Sequence, residues 1–351
     1  MKFTNKSIKV KLLAILIPIT LIMYIGGLFI IYYIFENSFL EKNNSILLKE
    51  IDFFNNSLNY HFKLAEEFAE LFGSYEFVKQ AYNNPNEDQA ADELKKEISK
   101  VIKKLPGNEK DYQVHFHKPP ARSFLRSWTK KRGDDLSSFR QTILQVYKTH
   151  KPIKAIELGV GGFAIRGIVP IINDNNNYIG SVEYFFSPND LLKLISNKDR
   201  SSTFITVVKS ELANKLFEKD VIQKQYPTEY HNYYFGKPNV DWLNLSELTN
   251  KDFSQIMDTT KSISVFNLKY LTAGILPIYD FNKSNIGYYM FFHNNERDYQ
   301  NLYVKMIYYM IGLILGFTLI IGIFYYFISI MMIKPLVIIK DRILNISEGK
   351  L

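Results

Sequence analysis

Two long stretches of the chain consist of uncharged and mostly apolar residues. Leu12–Phe35 reads LLAILIPITLIMYIGGLFIIYYIF, and Met306–Ile333 reads MIYYMIGLILGFTLIIGIFYYFISIMMI. A helix rises about 1.5 Å per residue, so either stretch can cross a hydrocarbon core about 30 Å thick. Neither stretch has the polar face that a helix of a soluble protein keeps. The pattern predicts two membrane-spanning helices, the first an uncleaved anchor because no small-residue cleavage site follows it.

The chain between these stretches begins with helical periodicity. From residue 36 to about residue 72, apolar residues recur at steps of three and four, which predicts one long helix continuing out of the membrane. After an Asn- and Pro-containing break, Asp92–Leu105 predicts a second amphipathic helix. Gly133–His150 predicts a third, with Asp134 or Asp135 as its N-cap.

Alternating apolar and polar residues predict β-strands in the remainder of this region. Strands are expected at Tyr112–His117, in two segments around a glycine-rich turn within residues 153–172, and at Tyr178–Phe186. A short helix is expected at Ser187–Ile195. A second module begins near Ser201 and ends in a meander of three strands. The pattern predicts an α+β fold made of two successive modules.

One fourteen-residue unit occurs twice. Gly167–Gly180 reads GIVPIINDNNNYIG and Gly274–Gly287 reads GILPIYDFNKSNIG, with seven of fourteen positions identical. In each copy the apolar head would end one antiparallel strand, the Asn- and Asp-rich middle would turn, and the Ile-Gly tail would start the next strand. The repeat indicates that the two modules derive from one ancestral unit. Two unrelated hairpins remain the alternative.

The positive charge of the chain lies next to the apolar stretches. The formal net charge is +8, and the flanking basic residues are Lys2, Lys6, Lys9, Lys11, Lys334, Lys340, Arg342 and Lys350. The positive-inside rule therefore places both termini in the cytoplasm and the middle outside it. About +2 remains for residues 36–305, which argues against nucleic-acid binding.

The region between the spans resembles a double Cache sensor. The resemblance covers roughly residues 36–300 and is strongest over Tyr112–Phe186. There HFHKPPARSFLR, GDDLSSFRQTI and ELGVGGFAIRGIVPI resemble a subgroup attached to chemotaxis receptors and sensor kinases. The resemblance implies one long helix and two stacked modules with antiparallel sheets, distal and then proximal to the membrane. The amino-acid-recognition pattern of better-known Cache receptors is not visible, so that ligand class is not implied.

The C-terminal segment IKPLVIIKDRILNISEGKL resembles the first helix of a HAMP signal-relay domain. Pro335 lies where a first helical turn accepts it, and a 3-4-3 seam follows at Leu336, Ile339, Ile343 and Ile346. In that family a connector and a second helix complete a four-helix bundle between two subunits. The resemblance implies a homodimer and a cytoplasmic output domain that is missing from this chain. An ordinary juxtamembrane amphipathic helix is the alternative.

Catalysis is not supported by the sequence. The chain has no cysteine and no G-x-S-x-G, P-loop or H-E-x-x-H pattern. His115 and His117 would share one face of a strand and could bind a metal together, but no third ligand is visible nearby. We therefore predict no catalytic residue, no metal and no cofactor.

Arginines and aromatic residues of the distal module are the candidates for ligand contact. An arginine matches a carboxylate or phosphate with a planar fork of donors. We expect a small anion to contact Arg126 and Arg166 first, with Arg122, His117, Trp128 and Glu183 behind them. The competing interpretation is that Arg122, Arg126, Arg140 and Arg166 form structural pairs with Asp134, Asp135, Glu157 and Glu183.

These observations favour a chemoreceptor-type transmembrane sensor. It would be a multi-pass protein of the bacterial inner membrane, with a periplasmic ectodomain, a small-molecule ligand and lipid contacts, and it would act as a homodimer. Alternatives are the ectodomain and anchor of a sensor histidine kinase or diguanylate cyclase, a membrane-tethered binding module without signalling, and an extracytoplasmic hydrolase. The predicted segments are a cytoplasmic tail (1–11), the first span (12–35), the long helix with the distal module (36–200), the proximal module (201–305), the second span (306–333) and a partial HAMP helix (334–351).

Overall fold

The computed structural model describes residues 8–188, 191, 201–245, 264–268, 270–347 and 349. The α-helices are α1 (Ile8–Ser74), α2 (Glu76–Asn83), α3 (Glu87–Ile102), α4 (Gln141–Thr149), α5 (Ser210–Leu216), α6 (Lys219–Gln225), α7 (Glu296–Ile328) and α8 (Lys334–Ser347). The strands are β1 (Val114–Lys118), β2 (Arg122–Arg126), β3 (Ile153–Gly159), β4 (Gly162–Ile172), β5 (Tyr178–Phe186), β6 (Ser202–Lys209), β7 (Thr228–Tyr230), β8 (Tyr233–Phe235), β9 (Ser264–Leu268), β10 (Leu271–Tyr279) and β11 (Asn285–Asn294).

The chain forms two compact units. One contains the residues up to Asn43 together with those from Asn295 onward, and the other is Asn44–Asn294. The described part of the first unit is helical, and it contains the apolar stretches of two helices that are long and apolar enough to cross a membrane. A π-helical segment, Ser329–Ile333, separates α7 from α8. The finer domain boundaries given above stay predictions.

The second unit contains two antiparallel sheets with the same core topology. The sheet of the module predicted to be distal, called the distal sheet below, has the order β2-β1-β5-β4-β3. The sheet of the module predicted to be proximal, called the proximal sheet, has the order β7-β8-β6-β11-β10-β9. In both, the first long strand pairs with the last strand of its module, and the last three strands form a meander. The α+β class predicted from the sequence is confirmed.

The repeated unit forms the same hairpin twice. In β4–β5, Ile172 pairs with Tyr178, and in β10–β11, Tyr279 pairs with Asn285, so each turn has five residues. Asn176 and Lys283 occupy equivalent turn positions, with φ of 61° and 62°. Both hairpins also carry a bulge just before the turn. The hairpin prediction is confirmed, because the two copies agree in register, turn length and backbone conformation.

The first glycine of each repeat lets its strand lie close to α1. A Cβ on Gly167 would lie 2.2 Å from the backbone of Ala65, and one on Gly274 would lie 2.8 Å from the Ile51 side chain. Both residues sit in the middle of the strand that leads into the turn. The repeat therefore encodes the docking of each sheet onto the same long helix.

Apolar residues on one face of each sheet form the cores. Val114, Phe116, Val182 and Tyr184 belong to a cluster with α1, α2 and α3. A second cluster joins the middle of α1, the ends of β3 and β4, and the proximal sheet. The two modules therefore share part of one core. The opposite face of the distal sheet is covered by α4 and the segment before it.

The N-cap prediction for α4 is wrong. The helix begins at Gln141, and its first turn is capped by the Glu157 carboxylate of β3, whose Oε1 accepts a hydrogen bond from Thr142 N at 3.2 Å. Asp134 instead binds Arg126, and Asp135 accepts a hydrogen bond from Ser137 N. A long-range acceptor thus replaces the local cap that the sequence indicated. The helix predicted at Ser187–Ile195 lies mostly outside the described residues.

Candidate functional site

Polar residues of the distal sheet converge on the face that turns away from α1. Side chains alternate between faces along a strand, so His115 and His117 of β1 lie opposite the apolar Val114 and Phe116. The register places His115 across from Glu183 and His117 across from Ser181, both on β5. All four of these polar side chains are buried. Residues directly across two antiparallel strands share a face, so the sheet itself assembles this group.

Two arginines bridge the carboxylates of this face. Arg140, at the N-cap position of α4, donates to Glu157 Oε2 at 2.8 Å and to Glu183 Oε2 at 2.5 Å. Arg166 of β4 donates through Nη1 to Glu183 Oε1. We call Arg140, Glu157, Arg166 and Glu183 the ion network. All four side chains are at most 9% exposed.

Thr142 donates further hydrogen bonds to Glu157. Thr142 Oγ1 donates to Glu157 Oε2 at 2.6 Å, in addition to the backbone hydrogen bond from Thr142 N. Because the first N–H groups of a helix lack intrahelical acceptors and carry partial positive charge, this carboxylate is stabilised by the α4 N-terminus. Glu157 therefore holds α4, and with it Arg140, against the sheet.

The ion network is electrically neutral. Two arginines offset two glutamates, and burial lowers the pKa of His117 to about 3, so the ring is uncharged at neutral pH. Burial lowers the pKa of His115 as well. Burial alone would raise the pKa of Glu183, but Arg140 and Arg166 outweigh it and lower that pKa to about 2. Glu183 therefore remains a carboxylate although it is fully enclosed.

Two polar atoms in this region have no hydrogen-bond partner among the described residues: His117 Nε2 and Arg166 Nε. His117 Nε2 lies 3.5 Å from Glu183 Oε2, and Arg166 Nε lies 3.9 Å from Glu157 Oε2. Buried donors and acceptors are nearly always satisfied, so unsatisfied ones indicate a place for water, an ion or a ligand. Both atoms belong to residues that contact Glu183.

A second arginine pair and an aromatic side chain lie at the rim of the network. Arg126 forms two hydrogen bonds of 2.7 Å with the carboxylate of Asp134. Trp128, which is 43% exposed, packs edge-on against His115 and Phe185, with ring centroids 5.8 and 5.3 Å apart. Phe185 in turn lies under the Arg166 guanidinium. Trp128 is thus partly exposed to solvent and also contacts the buried polar face.

A surface cavity of about 380 Å³ lies next to Trp128. Its walls include Ile102, Tyr112 and Ser127. Trp128 is shared by this cavity and the polar face, because the same indole also contacts His115.

Glycines around the β3–β4 turn shape the site. The turn is two residues long, and Gly162 has a φ of 107°, which favours glycine. A Cβ on Gly159 would lie 2.7 Å from Arg166 Nη2. The tight turn predicted from the sequence is confirmed, and Gly159 additionally leaves the space that the Arg166 guanidinium occupies.

The predicted ligand residues lie in three places. Arg166, Glu183 and His117 meet on the polar face, and Arg126 and Trp128 lie at its rim. Arg122 instead forms two hydrogen bonds of 2.7 Å with Glu87 of α3. Arg126, Arg140 and Arg166 pair with Asp134, Glu157 and Glu183, as the competing interpretation expected. The Glu87 partner of Arg122 was not among the carboxylates that it named. Their role in ligand binding stays a proposal.

Sequence reasoning missed two polar residues of the site, Thr142 and Ser181. Ser181 could have been found from its spacing, because it lies two residues before Glu183 on the same strand. Thr142 lies one residue inside α4, and only the long-range contact with Glu157 reveals its position.

The family comparison matches most of the chain. A family model, dCache_3, described as the double sensory domain of two-component sensor kinase, matches residues 46–296. The matched segment contains both sheets and the whole ion network. None of the curated proteins compared with the chain matches it.

Several solved structures are similar to much of the chain. The V. cholerae histidine kinase DctB sensor domain is 10% identical, with a TM-score of 0.42 over 72% of this chain and 98% of that one. The periplasmic domain of RsbU from Chlamydia trachomatis is 10% identical, with a TM-score of 0.41 over 76% and 97%. The ligand-binding domain of the Pseudomonas aeruginosa amino acid chemoreceptor PctC, in complex with GABA, is 11% identical, with a TM-score of 0.36 over 72% and 99%.

Proposed function

Because the chain belongs to the dCache_3 family of double sensory domains, we propose that it is a transmembrane receptor that binds a small anion at the ion network of its distal module. Ligand contact is assigned to Arg166, His117 and Glu183, with Arg126 and Trp128 at the entrance. Arg122 would act at a distance, by holding α3 through Glu87.

The pair of unsatisfied buried atoms carries this proposal. Arg166 Nε is a donor that cannot lose its charge, and His117 Nε2 can accept or donate. A ligand oxygen between them would satisfy the arginine donor without breaking the Arg166–Glu183 pair, because a guanidinium has five N–H groups. An anion is favoured because charge-assisted hydrogen bonds of arginine are the stronger ones.

The neutrality of the ion network sets the size and charge of the ligand. Each arginine charge is already offset, so a bulky polyanion would bury charge that nothing offsets. A small monocarboxylate or similar anion adds a single charge, and the Trp128 and Phe185 rings provide apolar walls for its remaining atoms. Burial of a largely apolar ligand with a few fixed polar contacts is typical of small-molecule sites.

A direct path leads from the site to α1. Gly167 follows Arg166 on β4 and lies against the α1 backbone at Ala65 and Glu66. A ligand held by Arg166 would therefore bias the position of β4 on α1, the helix whose N-terminal part contains the first apolar stretch. Binding changes this equilibrium only if the ligand prefers one arrangement over the other.

Two features support a relay into the cytoplasm. β11 ends at Asn294, and α7, which contains the second apolar stretch, begins two residues later. In α8 the seam residues are apolar and exposed by 45–62% in the single chain, so they are available for contact with another helix: Leu336, Ile339, Ile343 and Ile346. We assign this seam to a HAMP-type contact in a homodimer, with the ectodomain in the periplasm.

The description of the family refers to two-component sensor kinases. On that ground alone we favour a kinase output over a chemotaxis output. A membrane-tethered module without signalling would not need an apolar seam after the second span.

A thermal-shift screen tests the proposal. The full chain in lipid nanodiscs would be screened against small carboxylates, phosphate, amines, amino acids and purines. We expect the melting temperature to rise with one or more small anions and the rise to disappear in Arg166→Ala. Arg132→Ala is the matched control, because Arg132 pairs with Asp88 and Asp92 on the surface of the same module. Stabilisation only by amines or neutral compounds would refute the anion assignment but would not contradict the receptor function.

A further inference from the structure

The polar face contains a third potential metal ligand that the sequence did not reveal. His115, His117 and Glu183 each place one donor atom within 4.8 Å of the other two. Antiparallel pairing of β1 with β5 puts Glu183 across from His115, 68 positions along the chain. The relative exposures of these residues are 3%, 0% and 0%.

Serine hydroxyls fix both imidazole rings. His115 Nε2 lies 2.9 Å from Ser123 Oγ, and His117 Nδ1 lies 3.1 Å from Ser181 Oγ. Metal-binding histidines commonly use one nitrogen for the metal and bond the other to a fixed partner, which sets the tautomer. For His117 this leaves Nε2, which faces Glu183 Oε2 at 3.5 Å and has no hydrogen-bond partner in the described chain.

The charges at this position allow a cation. Arg140 and Arg166 are offset by Glu157 and Glu183, and Arg126 is offset by Asp134. A cation would therefore enter a region whose fixed charges sum to zero. Glu183 accepts one hydrogen bond on each oxygen, and a carboxylate has about four lone-pair sites, so it retains capacity for a metal.

We propose that His115, His117 and Glu183 bind one divalent transition-metal ion, zinc being the ion whose usual ligands this set matches. Two imidazoles and one carboxylate form a known three-ligand zinc set with an open fourth position. Hard cations such as Mg²⁺ and Ca²⁺ prefer oxygen ligands and are disfavoured by the two nitrogens. Zinc bonds of about 2.1 Å need donor atoms roughly 3.4 Å apart, so the side chains must close by about an ångström.

The open position explains how the site would favour an anion. A divalent ion adds two positive charges to the neutral network, and an anionic ligand at the fourth position offsets part of them. The binding of an anion to the metal rests on the proposed function, whereas metal binding itself does not. The metal would then take the place of His117 Nε2 as the direct contact for the ligand oxygen, with Arg166 next to it.

Cobalt absorption tests the metal site directly. The full chain in nanodiscs would be stripped with a chelator and titrated with Co²⁺. We expect a visible absorption band of tetrahedral type that saturates at one ion per chain and is displaced by Zn²⁺. His117→Gln and Glu183→Gln should each weaken Co²⁺ binding at least tenfold. Ser181→Ala removes the hydroxyl that holds His117 and should weaken Co²⁺ binding by about 10- to 100-fold. His150→Asn is the matched control, because His150 is exposed and stacks on Tyr178.

X-ray absorption on the wild-type zinc form keeps the test independent of how the variants fold. Two imidazole ligands at about 2.0–2.1 Å support the assignment. Absence of a Co²⁺ band in the wild type, a band unchanged in well-folded His117→Gln, or fewer than two imidazoles would overturn it.

The two proposals fail separately. If Co²⁺ binds but acetate, succinate and phosphate leave its spectrum unchanged, the coupled anion is refuted and the metal site stands. If small anions stabilise the metal-free chain as strongly as they stabilise the zinc-bound chain, the receptor function stands and the metal contact with the ligand is refuted.

Discussion

Arg166 occupies the space that a side chain on Gly159 would need. A Cβ on Gly159 would lie 2.7 Å from Arg166 Nη2. Gly159 and Arg166 belong to adjacent strands of one hairpin, so the glycine determines where the guanidinium can lie. The close approach of a charged side chain to a glycine is thus part of how the site is formed.

Gly159→Ala should displace the Arg166 guanidinium and reduce ligand-dependent stabilisation. The end of an arginine can move, so we expect a modest loss of unfolding free energy, about 1–2 kcal/mol, with a larger loss of the anion-induced thermal shift. Gly161→Ala is the control, because nothing lies within 4 Å of its Cβ position. Equal responses of the two variants to the ligand would contradict the role of Gly159.

Gly167→Ala should be considerably more damaging, because the new Cβ would meet backbone rather than a movable side-chain end. Ala65 C and Glu66 N of α1 would both lie at 2.2 Å. Either β4 or α1 must move, so we expect destabilisation of about 3 kcal/mol or more and loss of coupling between ligand and α1. Chemical denaturation of the full chain in nanodiscs measures the first effect. A fully stable variant would show that the contact between β4 and α1 is not as close as described.

Thr142→Val should weaken the ion network while preserving side-chain volume. Thr142 Oγ1 donates to Glu157 Oε2 at 2.6 Å in a fully buried position. Loss of that donor leaves a carboxylate lone pair without its partner, and we expect a cost of about 1–3 kcal/mol. Thr142→Ser keeps the hydroxyl and should retain most of the stability. Similar melting temperatures of the Val and Ser variants would contradict the importance of this hydrogen bond.

Acid should weaken the attachment of α3 to β2. The hydrogen bonds from Arg122 lower the pKa of Glu87 from 4.5 to about 2. Because the folded value lies below the unfolded one, the contribution is complete above about pH 4.5 and is lost as the pH falls toward 2. Both side chains are 38% exposed, so screening limits the effect to about 1 kcal/mol or less.

Glu87→Gln isolates that contribution. The wild type should be more stable than the variant at pH 7, and the difference should shrink between pH 4.5 and 2.5. Glu183 titrates in a similar range in the wild type and in the variant. The difference between their curves of stability against pH therefore reports Glu87 alone. A difference that stays constant with pH would contradict the assigned ion pair.

Disulfide cross-linking tests the seam of α8. The chain contains no cysteine, so each introduced one is unique. Ile339→Cys on the seam should cross-link between copies in membranes several times faster than Ile338→Cys beside it. The two isoleucines are matched, with exposures of 54% and 56% in the single chain. Equal rates would argue against a parallel helical contact at this seam.

The sequence predicted the parts of the fold that depend on local periodicity. The repeated hairpins followed from the apolar heads, polar turns and Ile-Gly tails, and their registers agree with that prediction. The long helix was predicted over residues 36–72 and lies within α1. These features depend on residues close together in the chain.

Features set by long-range contacts were not predictable in the same way. Asp134 and Asp135 have the residue type of an N-cap, but α4 begins only at Gln141, and Glu157 of β3 caps it from 15 residues away. Likewise, no third metal ligand was visible near His115 and His117, because only the pairing of β1 with β5 brings Glu183 to them. Strand order therefore had to be known before the polar face could be assembled.

Hydrogen exchange of the two repeated hairpins tests the central claim most directly. Full-length protein in nanodiscs would be compared with and without the small anion that stabilises it most. We predict slower amide exchange in β4 and β5, with little change in β10 and β11, and no such protection in Arg166→Ala. The two hairpins share register and turn geometry, so each serves as the reference for the other. Protection confined to β10 and β11 would contradict a distal ligand site.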